Sequence, residues 1–210
     1  MELASDRPSD DVVLEQARAG DETSFLQLVD SYGGRLVRLA REIAGPAPGR
    51  AETLAREALL GVARDASPAG GPSARLRLLR AVVEAARTRW PLEVAVQPED
   101  AAAGGEAVPG VPLCASALEA LQPALAALPM RFRLPLLLAD AEGCDEDEAA
   151  WLLGITPSDH LVLLHAGRAA LRQAVPDLQQ IAAMPDGAGP DGLSDRGRSR
   201  LLTAFRGVRR

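Results

Sequence analysis

The chain has no lysine. All 23 of its basic residues are arginine, which reads as the codon bias of a GC-rich genome. Aromatic residues make up only 3% of a chain that is 47% apolar, so any core must be built of Leu, Ala and Val. Ala and Leu are strong helix formers and β-branched residues are few, which points to an all-α fold. Two cysteines, Cys114 and Cys144, exclude a disulfide framework and a four-cysteine zinc site. The two histidines, His160 and His165, are five positions apart and do not share a helix face, so no metal site and no cofactor is expected. No uninterrupted apolar run is long enough to span a bilayer. The opening MELASDRPSDD is acidic and lacks the apolar stretch of a secretion signal, so the protein is expected in the cytoplasm. No nucleophile–base pair, glycine-rich phosphate loop or carboxylate pair stands out, and no enzymatic activity is expected.

Positive charge is missing in two windows. From Pro91 to Met130 there is no arginine and there are five acids. Between Asp140 and His165 there are seven acids (Asp140, Glu142, Asp145, Glu146, Asp147, Glu148, Asp159) and again no arginine. By contrast, residues 31–90 hold eleven arginines against five acids. A net charge of −6 thus hides a basic stretch at 31–90 and acidic stretches at 91–130 and 140–165.

Hydrophobic period divides the chain into blocks. Residues 10–90 read as a helical domain. A short first helix over Asp11–Ala19 ends at Gly20, and Asp21 caps a second. Leu36, Leu39, Ala40 and Ile43 form one stripe of the SYGGRLVRLAREIAG stretch, with Arg35, Arg38 and Arg41 on the other. Ala51–Arg64 and Ala74–Arg89 are a third and fourth helix, the latter carrying Arg75, Arg77, Arg80, Arg87 and Arg89. Residues 91–114 are rich in Pro, Gly and Ala and keep no period, which predicts a flexible linker. Residues 115–178 form a second helical domain, with helices over Ala115–Leu128, Arg131–Asp140, Asp145–Leu153 and Pro157–Ala174. Residues 185–210 are a tail, flexible in composition at first and ending in a basic amphipathic helix with Leu201, Leu202 and Phe205 among six arginines.

Residues 143–171 have the pattern of a helix–turn–helix, with Gly154 at the turn. Preceded by ALEALQPALAALPMRFRLPLLLADAEG and closed by LLHAGRAALR, this segment resembles the C-terminal, region-4-like domain of the extracytoplasmic-function (ECF) sigma factors, members of the bacterial sigma-70 family. ARAGDETSFLQLVDSYGGRLVRLAREIAG is similar to the opening of that family's region-2-like domain, and AETLAREALLGV to its polymerase-gripping helix. The similarity extends from Asp11 to Leu171.

The resemblance implies two small helical domains joined by a linker, and a transcription factor that binds RNA polymerase core. It implies Glu52, Leu54 and Glu57 as polymerase contacts. It also implies Arg77, Arg80, Arg87, Arg89 and Trp90 as nucleic-acid contacts, so promoter DNA would be met through the N-terminal domain only. The family's Asp-Leu-Val-Gln-Glu run is here Thr53, Leu54, Ala55, Arg56 and Glu57. Where the family places Lys, Ser and Arg on its reading helix, this chain has Leu161, Val162 and Leu163, with Ala166 for a further Arg.

A reading helix needs donors and cations on its outward face. Here the outward positions fall within Asp159, His160, Leu161, Val162 and Leu163. Each missing base interaction removes about 1–3 kcal/mol of discrimination. DNA reading by this domain is therefore expected to be impaired. The Leu161–Leu164 run fits either a core or a protein interface. On the interface reading, Asp159, Leu161, Val162 and Leu163 meet an anti-sigma factor, another regulator or a second copy of the chain. The DEDE run fits a dipole-favoured helix start or a basic partner's surface.

Overall fold

The computed structural model describes residues 9–45, 47–65, 71–89, 94–98, 100, 110 and 113–175. Trp90, most of 91–114 and the whole tail from 176 lie outside the described residues. All regular structure among those described is helical, so the protein is all-α. None of these helices is long and apolar enough to cross a membrane. The described residues fall into two compact units: 9–40 with 47–85, and 41–45 with 86–175.

The first unit contains α1 (Asp10–Ala19), most of α2 (Glu22–Ala44), α3 (Arg50–Arg64) and most of α4 (Ala74–Arg87). Gly20 ends α1 in the left-handed region at φ 100°, its N–H turned back to Ala17 and Gln16. The Asp21 side chain then accepts the Ser24 N–H at 2.8 Å and starts α2. Hydrogen bonds from Ser24 hold the Asp21 carboxyl below its ordinary range. α2 runs unbroken through Gly33 and Gly34 and buries Phe25, Leu28, Leu36 and Leu39 along one stripe. Leu54, Ala58 and Leu59 from α3 and Leu78, Leu79, Val82 and Val83 from α4 complete the apolar interior.

Three polar ties fix α1 to its neighbours. The Asp11 carboxylate accepts the Ala74 N–H at 2.6 Å and so caps the start of α4. Tyr32 donates to Asp10. Its burial, helped by that carboxylate, pushes the Tyr32 hydroxyl up to about 12. Arg18, almost fully covered, donates to the Asp65 carbonyl where α3 ends and pairs with Glu15 at 2.8 Å.

The second unit contains α5 (Ala115–Ala127), α6 (Met130–Leu136), a wide π turn (Leu137–Ala141), α7 (Glu146–Leu153) and α8 (Pro157–Ala174). The Cys114 sulfur caps α5 by accepting the Ala117 N–H at 3.5 Å. Pro129 starts α6, and Pro135 removes one N–H from its ladder. Directly after that proline the helix widens, and the Glu142 N–H reaches back five residues to the Leu137 carbonyl at 2.9 Å. α8 packs against α6 and α7. At Gly167 the approach is closest: a Cβ there would stand 2.8 Å from the Phe132 carbonyl oxygen.

The described part of 91–114 differs from the expected flexible linker. Val94, Asp100 and Leu113 are buried. Asp100, 2% exposed, accepts the Gln97 N–H at 2.9 Å and pairs with Arg131 at 3.3 Å. The Leu113 N–H bonds the Asp140 carbonyl at 2.8 Å. A buried carboxylate needs a partner, and Arg131 ties this stretch to the second unit. Periodicity counts apolar residues and is blind to such a tether.

Candidate functional site

The helix–turn–helix is assembled from α7, Gly154, Ile155, Thr156 and α8. Its start is a capping box: the Asp145 side chain accepts the Glu148 N–H at 2.8 Å, and Glu148 accepts the Asp145 N–H at 3.2 Å. Glu146, Asp147 and Glu148 occupy the first turn, where the helix dipole favours negative charge. Gly154 turns the chain at φ 66°, a conformation in which L side chains are strained. Thr156 starts α8 by accepting the Asp159 N–H at 3.1 Å, with Pro157 in the first helical position.

α8 sorts its side chains cleanly. His160, Leu163, Leu164, Gly167 and Leu171 face inward. Ser158 is exposed, and Leu161, Val162, His165 and Ala169 are half-buried along the other stripe. Two expected outward positions are therefore corrected. Leu163, 0% exposed, is core and cannot be part of a partner interface, and His160 also points inward. The reason is the helical period, which places 160, 163, 164, 167 and 171 on one face. Leu161, Val162 and Asp159 remain partly accessible. Trp151 on α7, 37% exposed, is an apolar surface residue that sequence reasoning missed. Its signal was a lone tryptophan on the acidic helix of a chain with few aromatics.

Positive charge near this face is already engaged. Arg168 grips Asp140 with two hydrogen bonds, Nε to Oδ2 at 3.0 Å and Nη2 to Oδ1 at 2.5 Å. That pair clamps α8 to the π turn. Arg131 is held by Asp100. Arg133 donates to the carbonyls of Ala126, Leu128 and Glu42 at 2.7, 2.8 and 2.9 Å, Glu42 lying in the short stretch of α2 that belongs to this unit. Burial raises the Glu42 carboxyl, with Arg133 acting against that rise.

His160 is buried, 1% exposed, and neither ring nitrogen makes a hydrogen bond. Burial pushes its pKa below the ordinary 6.5. Arg168 and His165 push the same way, while the Pro135 carbonyl and Asp140 favour a proton.

The expected contacts on α3, α4 and the residues just after it differ in exposure and in their partners. Glu52 is exposed and Glu57 half-buried on α3. Leu54, 0% exposed, is core, which corrects its assignment as a polymerase contact. It points inward with Ala51, Ala55, Ala58 and Leu59, the apolar stripe of an amphipathic helix. On α4, Arg77 donates to the Pro72 carbonyl at 3.0 Å and lies 3.6 Å from Glu15. Arg80 stands 3.8 Å from Glu84 in a half-exposed pair. Arg87, in the second unit, donates to the Leu153 carbonyl at the end of α7. Arg77 and Arg87 thus each reach a backbone carbonyl, while Arg89 is exposed.

Among the described residues, no cluster of His, Cys, Asp and Glu is arranged to hold a metal ion. The chain matches no protein-family model and no curated protein.

Proposed function

We propose that the chain is an ECF-sigma-like regulator that binds RNA polymerase core in the cytoplasm through its first unit. Its helix–turn–helix unit works without reading DNA. The carrying observation is a helix–turn–helix with seven acids and no arginine between Asp140 and His165, beside which Arg168 is held by Asp140 and Arg87 by the Leu153 carbonyl. A phosphate backbone binds protein cations by releasing its condensed counterions, and the stretch from Asp140 to His165 contributes no arginine or lysine. On α3, Glu52 and Glu57 remain as the expected polymerase contacts, without the buried Leu54. The loss of the family's Asp and Gln at Thr53 and Arg56 weakens that grip relative to a housekeeping factor.

The test is competition of the full-length chain against a housekeeping sigma factor for core polymerase. Displacement at excess, reduced by Glu52→Arg and Glu57→Arg, supports the proposal. No displacement even at large excess removes the polymerase role.

A second reading is favoured by the exposed Trp151 and the half-buried Leu161 and Val162. Apolar side chains at the surface of a helix–turn–helix suit a protein partner better than a base edge. On this reading the unit is a sigma mimic that binds an anti-sigma factor, another regulator or a second copy of the chain.

A further inference from the structure

We infer that the helix–turn–helix unit carries a built-in acid release: His160 must be neutral for α8 to stay seated, and a proton on its ring loosens that helix. This goes beyond the proposed partners and does not depend on them.

The geometry begins with the site. His160 lies in the second turn of α8, on the stripe that faces α6 and α7. It is covered on all sides, and neither nitrogen has a hydrogen-bonding partner. A neutral imidazole tolerates such a place as a flat, weakly polar ring. A protonated one brings two charged N–H donors into a space where neither makes a well-formed hydrogen bond and the Pro135 carbonyl is a nearby acceptor, and burying a charge without full hydrogen bonding is strongly unfavourable.

Charges around the ring do not rescue it. On α8 itself, Arg168 and His165 both oppose a second cation. Asp140, from the π turn, attracts one, but both of its oxygens are engaged by Arg168. From α6, Arg131 is taken by Asp100, and Arg133 by backbone carbonyls. The acids of α7, Glu146, Asp147 and Glu148, stand in its first turn, and Glu119 of α5 is exposed. The Pro135 carbonyl is the remaining favourable group, and burial outweighs it.

The sign follows from linkage. The folded-state pKa lies below the unfolded value of 6.5. The unfolded or opened form then binds the proton more readily. Stability is whole above about pH 6.5 and falls as pH drops through that value toward the folded pKa. One proton taken up on opening raises the opening constant by up to about tenfold per pH unit in that window.

The test uses the full-length chain between pH 7.5 and 5. Carbon-13 NMR follows the two imidazoles, told apart by His165→Gln. Hydrogen exchange, corrected for intrinsic rates, follows peptides from α8 and from α1–α4. The expected result is a His160 resonance that titrates below the ordinary range, with protection of 157–171 falling by up to about tenfold per pH unit below 6.5. His160→Phe should flatten that fall, and His165→Gln should keep it. The inference is overturned if His160 titrates at or above the ordinary value, or if His160→Phe shows the same acid opening. If His160→Phe does not fold, the wild-type titration decides alone.

Discussion

Single side chains separate packing from display on the same helix. Leu161 and Leu163 are two residues apart, yet one is half-buried and the other has no exposed surface. Leu163→Lys would place a charge in the interior, and unfolding of the second unit is expected, at a cost of several kcal/mol. Leu161→Lys should leave the melting temperature within a few degrees of the wild type. Thermal melts followed by circular dichroism will check both. Equal losses for the two variants would refute the assignment of faces. The run of apolar letters from 161 to 164 could not make this distinction alone. The helical period of the whole element could, once its start at Pro157 was fixed. Leu54 repeats the lesson: its resemblance to a contact position was legible, but its place on the buried stripe with Ala58 and Leu59 decided where it points.

At the scale of elements, most helices were legible because their starts and stops are written locally. Gly20, Asp21, Asp145, Gly154 and Thr156 each act on a backbone a few residues away, and their geometry matches that chemistry. The capping box of α7 closes a helix of only eight residues, too short to hold itself by propensity. Asp145→Ala should therefore destabilise the second unit by about 1 kcal/mol. Urea unfolding is the measurement, and no shift in midpoint would mean that packing alone sets α7. Less legible was the π turn after Pro135, since a proline inside a helical pattern predicts a break or kink but not its form. The burial of Asp100 was not legible either. Its partner Arg131 is distant in sequence, and no pattern of nearby residues announces a long-range ion pair.

For the molecule as a whole, charge is segregated between basic and acidic stretches of chain. Eleven arginines lie within 31–90, and none lies between Asp140 and His165. If the full-length chain binds duplex DNA at all, the affinity should depend on Arg80 and Arg89. Their replacement by Gln should flatten the salt dependence by about one unit of slope for each phosphate no longer neutralised. Ser158→Ala and Asp159→Asn on α8 should leave both affinity and slope unchanged. Fluorescence anisotropy across a salt series will show which holds, and a response confined to the α8 variants would contradict the non-reading assignment. The basic and acidic stretches could be counted from sequence. Which arginines are spent on backbone carbonyls could not, because those carbonyls belong to loop and helix ends that only the fold brings near.

Those engaged arginines give the lysine-free composition a second meaning. Arg133 spreads over three carbonyls, while Arg18, Arg77 and Arg87 each reach one at a helix or loop end. A guanidinium does this with a rigid, planar fork of donors, whereas an ammonium is a compact point on a flexible stem. The fold uses the shape of these four arginines as well as their charge. Exchanging them for lysine would preserve every charge and still unfasten the helix and loop ends that Arg18, Arg77, Arg87 and Arg133 hold.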